Sequence, residues 1–211
     1  MLNNNGFDLW ADNYDNSVRK AEEGNVYPFA GYTSLMNAIY GTVMAQAPVK
    51  VLDIGFGTAM LTSKLCDAGN QITGIDFSME MIKIAADKMP EAKLLQWDFS
   101  MGVPPELSTC SFDFIISTYA LHHLGDQEKV KFLIGLLDLL EPGGSILIGD
   151  VGFNTRDELL ACKTSCGEHW DDDEFYFVFS ELQASLSSVY DLSFHHFSFC
   201  AGVIEMRRKQ A

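Results

Sequence analysis

The sequence predicts an α/β fold: a doubly wound, mainly parallel sheet of seven strands, one of them antiparallel, in three α/β/α layers. Three observations carry this. Between Val49 and Asp150, short and nearly all-apolar runs alternate with helix-like segments, the pattern of strands covered by helices on both faces. The first run ends in an acidic residue and breaks at once into a glycine-rich turn, VLDIGFGTA at 51–59. Two strand-like segments with a short link close the chain, as an antiparallel hairpin at a sheet edge would.

Residues 1–48 show no strand pattern and are rich in aromatics (Phe7, Trp10, Tyr14, Tyr27, Phe29, Tyr32, Tyr40). They are expected to form a helical lid, within which 31–47 sets Leu35, Ile39, Val43 and Met44 on one helix face. Residues 49–150 form the core. They read as strand 49–54, helix 59–68, strand 71–75, helix 79–88 closed by Pro90, and strand 93–97. Strand 112–117, helix 127–140 and strand 145–150 follow, with Glu-Pro-Gly-Gly at 141–144 as helix stop and turn. Residues 151–211 contribute a polar, partly helical insert, a helix at 180–186 and hairpin strands at 190–197 and 199–207. No repeat, low-complexity tract or linker interrupts the 211 residues, so 1–211 reads as a single Rossmann-like domain.

Charge excludes one class of partner. The net charge is −15, with 14 Lys plus Arg against 29 Asp plus Glu, and the only basic cluster is Arg207, Arg208 and Lys209. A nucleic-acid enzyme needs a basic track to displace phosphate counterions, so no nucleic-acid partner is expected. The first residues lack the basic and apolar regions of a signal peptide, and no apolar run is long enough to span a bilayer, so no membrane partner is expected either. Five scattered cysteines argue against a disulfide framework and for a reducing, cytoplasmic setting.

The turn after the first strand, with a second apolar strand that ends in Asp76, is a βαβ unit suited to a nucleoside. A pyrophosphate fingerprint would want glycines at the positions of Gly55, Gly57 and Met60. Met60 is bulky, and no Arg or Lys stands in the turn. Asp76 would repel a 2′-phosphate, which removes NADP and leaves NAD without support. A phosphate-free ligand fits better: Asp76 would accept from both ribose hydroxyls, and the helix start after Gly57 would favour a carboxylate. S-adenosylmethionine (SAM) has both groups.

The chain resembles the class I SAM-dependent methyltransferases, and most of all the small bacterial YrrT-like members. The resemblance rests on VLDIGFGTA, GIDFS at 74–78, LLQWDFS at 94–100, FDFIISTYALHHL at 112–124 and LLEPGGSILIGD at 139–150, in that order. Ala59 stands where the family usually has a third glycine, and altered local packing is expected there. The resemblance implies SAM as cofactor, with Gly55 and Gly57 beside its methionine half and Asp53 orienting the ammonium. It implies Asp76 on the ribose, with Phe77 following it, and Asp98 on the adenine amino group with Phe99 in contact. Ser117 would lie near the sulfonium, and Tyr14, in WADNYD at 10–15, would close over the site.

Methyl transfer needs alignment and exclusion of water more than a catalytic side chain, although a hydroxyl, thiol or ammonium acceptor must lose a proton. His122 is the candidate base, set against a role in capping the next helix and packing under the loop. His195 and His196 read as structural. Cys162, Cys166 and His169 share a helical spacing but lack a fourth ligand, so no metal is expected. Residues 171–174 read as a solvated turn, or as a recruiting patch for a cationic acceptor. The expected partner is a small-molecule methyl acceptor, with a homodimer left open. A non-catalytic SAM-binding or regulatory protein on the same fold is the alternative; Asp53, Asp76 and Asp98 together favour the enzyme.

Overall fold

The computed structural model describes residue 24 and residues 26–209. Tyr14 and the 10–15 segment lie outside these described residues.

Along the chain come α1 (Tyr32–Met44), β1 (Lys50–Ile54), α2 (Thr62–Asp67), β2 (Gln71–Asp76), α3 (Met79–Lys88) and β3 (Lys93–Gln96). They are followed by β4 (Phe112–Thr118), α4 (Asp126–Gly135), β5 (Leu140–Phe153) and α5 (Arg156–Cys166). The chain ends with β6 (Phe177–Val178), α6 (Phe179–Leu186), β7 (Tyr190–His196) and β8 (Ala201–Arg208). The sheet runs β3-β2-β1-β4-β5-β8-β7. All neighbours are parallel except β8, which is antiparallel to both β5 and β7. The expected seven strands and single antiparallel strand are therefore present. The two-residue β6, paired to the end of β5, makes an eighth.

Alternation along the strands divides the core. Val51, Phe114, Ile116 and Leu147 face the cluster that holds Leu35, Ile39 and Val43 of α1. Leu52, Ile54, Ile115, Ile146 and Ile148 face the cluster under α4 and α6. Helix α1 is thus part of the packed layer, not solely a cover. It seats closely because Gly149 has no side chain: a Cβ there would lie 2.4 Å from Leu35 and 2.8 Å from Ile39.

The structure differs from the sequence reading around 135–153. Helix α4 stops at Gly135 and tightens into a 3-10 turn at Leu136–Leu139. The Glu-Pro-Gly-Gly segment is then a bulge inside one long strand, not a separate turn. Phe112 pairs Leu140 and Phe114 pairs Ser145, so residues 141–144 stand opposite Asp113 alone. Gly143 takes φ 85° at the bulge.

Strand order reverses between β1 and β4, because the chain winds outward to β3 and then crosses back. The crevice at the C-terminal ends of β1 and β4 is where this topology places ligands. No helix among the described residues is long and apolar enough to cross a membrane.

At Gly144 a Cβ would meet three backbone oxygens, those of Asp113, Glu141 and Phe112, at 2.9–3.1 Å. Backbone cannot swing aside. Gly144→Ala is therefore expected to destabilise by about 1–3 kcal/mol, measured by urea denaturation.

Candidate active site

A cavity of about 480 Å³ opens over the C-terminal ends of β1, β2, β4 and β5, a size typical of small-molecule sites. One end is built from the first βαβ unit. Gly55 (φ 70°) and Gly57 (φ 54°) are both left-handed. A Cβ at Gly55 would lie 2.5 Å from that of Ala120, so only glycine lets the β1 and β4 turns touch. At Gly57 no atom lies within 4 Å of where a Cβ would stand, and Gly57 lines the cavity. Asp76 is buried at the end of β2 and also lines it. Its Oδ2 accepts from Gly57 N and its Oδ1 from Ser78 N, both at 2.9 Å. The acid that faces the cavity therefore also ties down the glycine turn. Phe77 and Phe99 line the same end. Ala59, the departure from the family glycine, adopts φ 59°, a conformation that costs a non-glycine residue about 1–2 kcal/mol.

Asp53 lies beneath this turn, fully buried. One carboxylate oxygen accepts from the Thr62 hydroxyl, and the other has no hydrogen-bond partner among the described residues. Burial raises its pKa to about 7, the Thr62 bond opposes this, and the Asp76 charge adds to it. Ser117 and Asp98 are placed differently from expectation. Ser117 is buried and donates to the Ile54 carbonyl at 2.8 Å; its neighbours Thr118 and Tyr119 line the cavity instead. A one-residue step along a strand reverses the face. Asp98 is exposed and accepts from Ser100 N at 2.9 Å, capping a short 3-10 turn, and does not line the cavity.

The other end of the cavity centres on His122. Its Nδ1 donates to Asp150 Oδ1 at 2.7 Å, and its Nε2 lies 3.4 Å from Glu174 Oε1. Glu174 Oε2 accepts from Tyr176 at 2.6 Å, and the Tyr176 hydroxyl also bonds that of Tyr27. Burial opposes charge on His122, but Asp150 and Glu174 outweigh it and lift the imidazole to about 10. Burial would likewise raise Glu174, yet His122 holds it down at about 2. His122 is therefore an imidazolium between two carboxylates. It has no basic nitrogen for an acceptor's proton, which counts against the base expected of it, and it serves as an anchor. His123 also lines the cavity; burial and the His122 charge push it down to about 4.

Residues 171–174 are only partly the solvated turn expected. Glu174 turns inward, and the loop is fastened by Phe175 N donating to the His122 carbonyl at 2.8 Å and by Lys129 bonding the Phe175 carbonyl. His122, His123 and Glu174 each present an atom within 4.8 Å of the others, a donor set that can suit a cation. A cation would first have to displace the His122 proton. Cys162 and Cys166 lie 3.9 Å apart, and His169 is not clustered with them among the described residues. His195 and His196 sit on the exposed edge strand, away from the cavity. Sequence reasoning gave no role to Asp150 or Tyr176, read Glu174 only as part of the 171–174 turn or recruiting patch, and read Tyr27 only as one of the lid aromatics. The acidic end of β5 was the available signal for Asp150; the others meet only through the fold.

Comparisons with known proteins agree with this geometry. A family model described as a methyltransferase domain matches residues 51–144. An uncharacterized methyltransferase of Geobacillus kaustophilus is 40% identical over 153 residues, covering 72% of this chain and 67% of that protein.

The chain belongs to the class I SAM-dependent methyltransferases.

Among solved structures, the DhpI–SAH complex superposes with a TM-score of 0.68 at 17% identity, covering 97% of this chain and 94% of the other. A TehB-like SAM-dependent methyltransferase from Corynebacterium glutamicum gives 0.65 at 19% identity, covering 94% and 98%. At these identities the likeness is one of fold: this chain shares their sheet and helical layers.

Two stability tests follow from the buried charges. Asp53 binds its proton more tightly folded than unfolded, so its contribution is greatest below about pH 4 and is lost as pH rises through about 7. Asp53→Asn should therefore gain stability relative to the parent, by about 2–3 kcal/mol between pH 5 and pH 8 in urea titrations. His122→Ala leaves Asp150 buried without its cation and should cost about 3–5 kcal/mol. Asp150→Asn added to it should cost much less than the two single changes summed, as a double-mutant cycle would measure.

Proposed function

We propose that this protein binds SAM and transfers its methyl group to a small molecule, releasing S-adenosylhomocysteine (SAH). The observation that carries this is the cavity's chemistry: glycine turn and Asp76 carboxylate at one end, aromatic walls, and no Lys or Arg among the described residues that line it. A pyrophosphate would find no cation there, whereas a sulfonium nucleoside bearing an ammonium and a vicinal diol meets carboxylates and rings. The Asp53 oxygen beneath the turn, which has no hydrogen-bond partner among the described residues, is a further acceptor that suits an ammonium. When bound, SAM would supply a methyl carbon on an already activated leaving group.

The chain's own residues would bind, orient and exclude water. Asp76 would hold the ribose and Phe77 and Phe99 the base. Gly55 and Gly57 would let the ligand approach the backbone. Asp98, exposed, and Ser117, bonded to Ile54, have weaker support as contacts than the sequence suggested. Tyr14 and the 1–48 lid remain part of the proposal on motif grounds, as does the YrrT-like placement. The cavity continues past the nucleoside end to Tyr27, His122 and Glu174, which leaves room for an acceptor and favours an enzyme over a sensor.

Calorimetry with SAM and SAH checks the reading: saturable binding of both is expected, and no heat from either at millimolar ligand would overturn it. Asp76→Ala should weaken SAM about a hundredfold, since buried hydroxyls lose a charged acceptor. Gly57→Ala should fold, with a loss of about 1–2 kcal/mol from its left-handed φ, yet bind SAM poorly because the methyl enters the cavity.

A further inference from the structure

Building on the methyl-transfer reading, we propose that the acceptor is a small amine with an apolar body, taken up as its ammonium against Glu174 and the Tyr27–Tyr176 pair. The wall at this end is aromatic. Tyr27 stacks on Trp170 with centroids 5.2 Å apart, and Tyr176 meets both rings edge-on at 5.9 Å and 4.9 Å. Rings in this arrangement attract a desolvated cation. Carboxylates flank them: Glu174 and Asp171 line the cavity, and Asp150 lies behind with one oxygen buried and unpartnered among the described residues. His122 is already shared between Asp150 and Glu174, and Lys129, which bonds the Phe175 carbonyl, does not line the cavity. Among the described residues the lining at this end therefore offers a carboxylate or phosphate on an acceptor no lysine or arginine.

Proton loss separates amines from alcohols. An alcohol must be deprotonated as it attacks. Here both ring nitrogens of His122 already face carboxylates, Asp150 and Glu174, and Glu174 is itself engaged by His122 and Tyr176. Burial pushes the Tyr27 phenol up to about 12 and Tyr176 higher still, so both remain neutral donors. An amine needs none of these groups. Its ammonium gives one proton to water, and the freed lone pair forms the new N–C bond. The S–C bond breaks with its electrons going to sulfur. The positive charge passes from sulfur to nitrogen, where Glu174 and the tyrosine faces stabilise it.

The test is calorimetry on the SAH-saturated full chain with benzylamine, phenethylamine and N-methylbenzylamine against benzyl alcohol, benzyl mercaptan and benzoate. Methyl-labelled SAM then reports transfer to each compound. Amines should bind at least about tenfold more tightly than the other compounds and be the ones labelled. Glu174→Gln should weaken amine binding by about ten- to a hundredfold with SAH affinity unchanged. Glu174→Asp, which keeps the charge, should retain part of it and serves as the second variant if Glu174→Gln fails to fold. Preferential binding or labelling of the alcohol, thiol or carboxylate, or amine binding indifferent to Glu174→Gln, would overturn the inference. Failure of SAH to bind at all would instead sink the cofactor reading on which it rests.

Discussion

The buried bridge from Asp150 through His122 to Glu174 is the interaction on which the shape of the cavity depends. Its three members come from the end of β5, the turn after β4 and the loop before β6. Nothing in local propensity brings these segments together, and each carboxylate alone would be costly to bury. An imidazolium between them resolves both problems at once. Backbone bonds then fasten the arrangement: Val151 N donates to Asp150 at 2.7 Å and Phe175 N to the His122 carbonyl at 2.8 Å. The loop so fixed carries Tyr176 to Tyr27 and closes the cavity on the side away from the glycine turn. A buried ion pair of this kind is weak evidence for net stability; its evident result is position.

The opposite end uses the same economy with a different acid. Asp76 bonds Gly57 N and Ser78 N, so one carboxylate holds the glycine turn, steadies the start of α3 and faces the ligand space. Backbone strain gathers close by. Besides the glycines, Ala59 and Tyr119 are the non-glycine residues with positive φ among those described, and both border this region. Tyr119 sets its ring 5.2 Å from Phe29 and 5.4 Å from Tyr32. Such conformations persist where surrounding structure over-determines them, which is common at binding sites.

Much of the fold was legible in the sequence, because strands covered on both faces leave a continuous apolar signature and the glycine turn marks the first crossover. Helix α3 begins at Met79 and ends at Lys88 as read, since Ser78 caps it and Pro90 follows. The stretch 135–145 was misread because a bulge and a helix stop share the same residues, Pro and Gly. Gly55, Gly57, Asp76 and Phe77 could be named together because they are nearly contiguous in sequence around two strand ends, and all four line the cavity. Ser117 lies one step of register from the lining residue Thr118, and Asp98 caps a turn, a role that looks like a ligand contact in one dimension. The acidic 171–174 run and the lid aromatics were visible in the sequence, but the bonding of Glu174, Tyr176 and Tyr27 to one another was not. Tyr27 and Tyr176 meet across 149 residues of chain, and only the folded sheet ends join them.

Charge is distributed to match this division. Far from the cavity, exposed ion pairs such as Arg156 with Glu181 at 2.5 Å and Lys83 with Glu80 at 2.5 Å sit in water, where each contributes little. Inside, the described residues of the lining include no lysine or arginine, and the His122 imidazolium is matched by two carboxylates. A unit charge about 4 Å from another at an effective dielectric near 20 interacts by about 4 kcal/mol, enough to exclude an anion and to hold a cation. Were His122 neutral, Asp150 and Glu174 would repel each other and the loop would lose its seat. Were it unpaired and charged, the cavity would repel a sulfonium. The balance between these failures requires both carboxylates, which is why the pair, and not the histidine alone, defines the site.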